Sequence, residues 1–125
     1  MKNYKNKSIW LYDAIYKQNI LFLFGDFEDS VKYAKEQSRI ILKTKSKVLF
    51  SGRTWEVDSY GIVIWCEKEP TKHGWEAVLA HEILHAALYT MNNKGIEINA
   101  NNSEPITYYV EFLTRKVYEL LRKKK

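Results

Sequence analysis

Residues 75–91 constrain the chain most: they are mostly apolar, yet His81, Glu82 and His85 sit at their centre. A helix of that composition is expected to be buried all round, so other elements must cover it. Burying an unpartnered carboxylate is costly or forces it to neutralise. The remaining residues must therefore supply a cover for the helix, and something must satisfy its polar trio.

The cover is legible in outline. Residues 9–16 and 20–24 are mostly apolar and aromatic, separated by Lys17, Gln18 and Asn19, which predicts two strands joined by a tight turn. After Gly25, residues 26–37 open with acids and place Phe27, Val31 and Ala34 at helical spacing, which predicts a short amphipathic helix over one face of the sheet. Residues 48–57, interrupted by Ser51 and Gly52, and the β-branched and aromatic residues 61–66 predict two or three further strands. Pro70 and Gly74 then punctuate the chain ahead of the apolar helix. Residues 92–103 read as a loop, and Ser103 with Pro105 starts a last helix that runs to about residue 122. The expected fold is α+β: a small antiparallel or mixed sheet, then the helix bearing His81 and His85, then a C-terminal helix. A length of 125 residues with 46% hydrophobic content, and no repeat or linker, makes 1–125 one expected domain.

Charge and cysteine content narrow the function. The net charge of +5 arises from 20 Lys and Arg against 15 Asp and Glu, and much of the excess lies at the two ends and in residues 43–47. Such clustering is a weak pointer to nucleic acid, because bases in the last turn of a C-terminal helix also complement its dipole. The single cysteine, Cys66, has no internal disulfide partner, and no apolar run suits a signal peptide or a membrane span. A cytoplasmic protein with no membrane partner is the expectation, with Cys66 as a small core residue.

The trio itself spells HExxH. Residues four apart share a helix face, so His81 and His85 can reach one ion from successive turns, and neutral imidazole is a preferred zinc ligand. Glu82 lies beside that face, where it can hold a water bound to the metal. A catalytic zinc needs a third protein ligand and an open position. Glu104 follows His85 after 18 intervening residues, at the start of the last helix, and Glu111 is seven positions later on the same face. Glu104 is the expected ligand and Glu111 the acceptor behind a ligand imidazole, with the reverse assignment left open.

HEILH followed after that interval by EPITYYVEFL resembles the gluzincins, whose zinc is held by two histidines and a glutamate. More narrowly the chain is similar to short metallopeptidases inferred in bacteriophage genomes, and more distantly to minimal gluzincins of the ImmA/IrrE and SprT-like type. The resemblance covers about residues 60–120. It implies a minimal zincin-like domain with zinc on His81, His85 and Glu104, and Glu82 as general base. The implied reaction is hydrolysis of peptide or amide bonds by zinc-activated water, on a peptide or protein substrate, in a bacterial host cytoplasm if the chain is phage-encoded.

Thermolysin-like enzymes carry an aspartate four residues after the glutamate ligand, where this chain has Tyr108, so Tyr108 or Glu111 must fill that role. A second donor to the developing oxyanion is also needed. Among Tyr108, Tyr109 and His73, the first lies closest in angle to Glu104, while Tyr109 suits the core and His73 an exposed loop. Zincins align a peptide along an edge strand, and residues 61–66 are the candidate. Two other readings stand beside the peptidase. One is a non-catalytic, zinc-stabilised protein-interaction module. The other is a DNA-associated protease of SprT-like type, using residues 43–47 and 122–125 on phosphates, although the chain has no zinc ribbon.

Overall fold

The computed structural model describes residues 7–43, 51–58, 60–71 and 73–123. Strands β1 (Lys7–Asp13) and β2 (Gln18–Phe24) are followed by α1 (Phe27–Ser38), β3 (Gly52–Val57), β4 (Gly61–Cys66), α2 (Trp75–Asn93) and α3 (Glu104–Lys123). The strands form one sheet in the order β1-β2-β4-β3. β1 and β2 pair antiparallel, β2 and β4 parallel, and β3 and β4 antiparallel, so the sheet is mixed and the fold α+β, as expected.

Three layers result. Ile20, Phe22, Phe24, Ile62, Ile64 and Cys66 face α2 and α3, where they join Leu79, Ile83, Ala87, Leu113 and Val117. The alternate residues Leu21, Leu23, Val63 and Trp65 face the other way, with Ala34 of α1 and Trp55 of β3. Covered on both faces, β4 is buried continuously from Ile62 to Cys66, which is why its sequence shows an apolar run in place of an alternation. β3 is an edge strand and β4 lies inside the sheet, contrary to the expected place of residues 61–66 at the edge.

The first turn also falls earlier than expected, before Gln18. Asp13 Oδ1 accepts from the backbone N–H of Ile15 at 2.8 Å and of Tyr16 at 3.4 Å, and Lys17 takes a left-handed conformation with φ of 55°. The aspartate side chain thus makes the turn that a pattern of apolar residues does not show. The expected strand from residue 48 begins only at Gly52, and residues 48–50 lie outside the described ones.

Helix α2 departs from the expectation too. Leu79, Glu82, Ile83, Ala86, Ala87, Thr90 and Met91 are buried, but Ala77, Ala80, His81, Leu84, His85 and Leu88 are exposed. One sheet and one helix can cover only part of its circumference, so an apolar stripe stays in water around the histidines. No helix among the described residues is long and apolar enough to cross a membrane.

Candidate metal centre

Helical spacing brings His81 and His85 to one exposed patch of α2. Their Nε2 atoms stand 3.1 Å apart, and their rings meet edge to face at 4.8 Å between centroids. Two nitrogens on a tetrahedral zinc, each at about 2.0–2.1 Å, are about 3.3 Å from one another. The observed separation is close to that value, and it is also the length of a hydrogen bond from one ring to the other. The Tyr89 ring stands near His85 one turn further on, with 6.4 Å between centroids and 25° between planes.

Glu82, between the histidines, points toward the sheet and is 5% exposed. The Thr54 hydroxyl lies 2.8 Å from Glu82 Oε1 and 3.0 Å from the Glu82 backbone carbonyl. Close by, burial pushes the Cys66 thiol up to about 12, and the Glu82 carboxylate adds to the effect. A cavity of about 340 Å³ lined by Ser51, Gly52, Ala77, Val78, His81 and Glu82 opens beside one histidine and this carboxylate. A hollow of about 430 Å³ lies beside Trp55 and Tyr60, but no histidine or cysteine lines it, so volume alone does not single out the chemistry.

No group of three His, Cys, Asp or Glu side chains able to hold an ion is assembled among the described residues. Glu104 and Glu111 are both exposed on α3, and each has another partner. Tyr108 hydrogen-bonds to Glu104, which raises the tyrosine's pKa, with the Glu104 and Glu111 charges adding to it. Arg115 pairs with Glu111. The helices run antiparallel: Tyr118 feels the charge of Glu76, while Tyr109 and Thr90 share the Gln18 amide, each at 2.8 Å.

The other expected residues are also placed. Tyr109 is a core residue, as its position suggested, and its hydroxyl donates to buried Asp13. His73 is exposed in the segment before α2. Of the basic clusters, residues 44–47 and 124–125 lie outside the described ones. Sequence reasoning missed Thr54 and Gly52, since nothing in a lone threonine two residues after a glycine announces contact with a helix that begins at residue 75. No family model, curated protein or solved structure matches the chain.

Proposed function

We propose that this chain is a zinc-dependent peptidase, as the likeness of HEILH and EPITYY to the small gluzincins suggests. The observation that carries the reading is the 3.1 Å approach of the two histidine Nε2 atoms beside a cavity that Glu82 also lines. His81 and His85 would hold the ion, and Glu104 or Glu111 of α3 would add an oxygen ligand. Glu104 follows from the resemblance, whereas Glu111 lies two turns further along the same face of α3. Zinc bound there would polarise a substrate carbonyl and acidify a water molecule.

The chain's own residues then have distinct tasks. The Glu82 carboxylate accepts a proton from the attacking water and returns it to the leaving amine. Tyr108 gives its hydroxyl proton to Glu104, so it would serve as a donor to the oxyanion only by exchanging that partner for the substrate. The peptide lies along edge strand β3, whose outer side has main-chain groups to offer.

The purified protein should carry about one zinc per chain, and absence of uptake on adding zinc would end the reading. Glu82→Gln should bind zinc as wild type does and lose hydrolysis of any peptide that a library screen finds, because an amide cannot take the proton. His81→Ala should lose metal and activity together. Glu104→Ala and Glu111→Ala, compared by zinc affinity, assign the third ligand: the true one should lose most of its binding. A second reading draws on Leu84 and Leu88, exposed by 47% and 41% beside the histidines. In that reading zinc stabilises a surface for an apolar partner, and binding of that partner would survive Glu82→Gln unchanged.

A further inference from the structure

We infer that Thr54 is a positioning residue for Glu82, holding Oε1 of its carboxylate so that Oε2 faces the cavity beside His81. The inference rests on the peptidase reading for its catalytic meaning, but the contact itself is independent of it. Thr54 and Glu82 are only 9% and 5% exposed, and the hydroxyl stands 2.8 Å from Oε1. Among the described residues the Glu82 carboxylate has no other hydrogen-bond donor. Every buried side-chain oxygen among these residues that is sealed from solvent has a partner, so Oε2, which has none, is not sealed. It opens on the cavity that Glu82 lines together with Ser51, Gly52, Ala77, Val78 and His81.

The strand is shaped for this contact. Gly52 and Thr54 project from the same face of β3, two residues apart. A Cβ at position 52 would come within 3.0 Å of Glu82 Cγ, Val78 Cγ1 and the Trp65 carbonyl oxygen, so glycine lets α2 approach closely enough for the hydroxyl to reach. The hydroxyl also lies 3.0 Å from the Glu82 backbone carbonyl, but its single proton goes to Oε1, the nearer acceptor at 2.8 Å. A carboxylate with one oxygen fixed keeps the other at a defined place, which is what a base must offer to a water molecule.

Thr54→Val removes the hydroxyl and keeps the shape, whereas Thr54→Ser keeps the hydroxyl. With ¹³C-labelled glutamate, the Glu82 carboxyl resonance is assigned by its loss in Glu82→Gln. That resonance should move in Thr54→Val and stay near its wild-type position in Thr54→Ser. In hydrolysis of a library-derived peptide, Thr54→Val should lower kcat by about ten- to a hundred-fold with KM and zinc content unchanged, and Thr54→Ser should restore it. An unmoved resonance in Thr54→Val would overturn the inference, as would an equal loss of kcat in both variants. Should Thr54→Val fail to fold, the Thr54 hydroxyl proton of the wild-type protein should be visible by NMR and shift in Glu82→Gln; its insensitivity to that change would also overturn the inference. A wild-type protein that binds no zinc and cleaves no peptide defeats the peptidase reading alone, because the carboxyl resonance still reports whether Thr54 holds Glu82.

Discussion

Cys66 ends β4 with none of its surface in water, and the Glu82 carboxylate lies near enough to disfavour its thiolate. Its pKa stands at about 12 against an ordinary 9.0. Because the folded value is the higher one, the thiol's contribution to stability is complete below pH 9 and is lost as pH rises toward 12. Denaturant melts should show stability falling across that window, with a shallower slope in Cys66→Ala. Iodoacetamide at pH 8 should alkylate the folded protein far more slowly than the unfolded chain. Rapid alkylation of native protein would show that the end of β4 opens to solvent. As a lone cysteine in an apolar run, Cys66 was readable as core from sequence; its neighbour Glu82 was not, because that contact depends on how a helix lies across a sheet.

At the scale of elements, two joints hold the helices on the sheet. One is the close approach of α2 to β3 at Gly52. Gly52→Ala would crowd Glu82 Cγ, Val78 Cγ1 and the Trp65 carbonyl oxygen together and should cost about 1–3 kcal/mol in urea unfolding. Val78→Ala should recover part of that in the double variant, since it vacates one of the crowded positions. The other joint is buried Asp13, which accepts from the Tyr109 hydroxyl while making the β1–β2 turn. Gln18 extends the joint to α2 by donating to Tyr109 and Thr90. Tyr109→Phe deletes a hydrogen bond to a buried carboxylate, for an expected loss of about 1.5–3 kcal/mol in the same assay. Strand and helix placement were legible wherever apolar spacing carried them, as in β2, α1 and β4. The first turn was misplaced because Asp13 determines it through a side chain, and the edge strand was misread because order within a sheet is not written in the periodicity of any one strand.

For the whole molecule, α2 and α3 meet the sheet on one side and leave the histidines on an open surface. A ligand that binds only the folded state stabilises it, so zinc at about a hundred times its Kd should add about 2.7 kcal/mol and raise Tm. The variant that removes the α3 ligand should lose most of that increment, which scanning calorimetry with and without zinc would read. The HExxH helix was visible in the sequence because its spacing is local. Its exposed apolar stripe was not, since coverage depends on how many neighbours the fold provides.

The edge position of β3 makes the candidate site sensitive to a kind of error that substitution does not reach. Side chains alternate across a strand, so a slip of one residue against β4 would turn Arg53 or Trp55 toward Glu82 in place of Thr54. A guanidinium there would clamp the carboxylate as an ion pair, and an indole would wedge α2 away. The opposite edge of β4 is keyed at Gly61, where any side chain would collide with the Asn19 backbone, so β4 has one seat against β2. Because only three residues separate the end of β3 from Gly61, that same key indexes Thr54 to Glu82 from across the sheet.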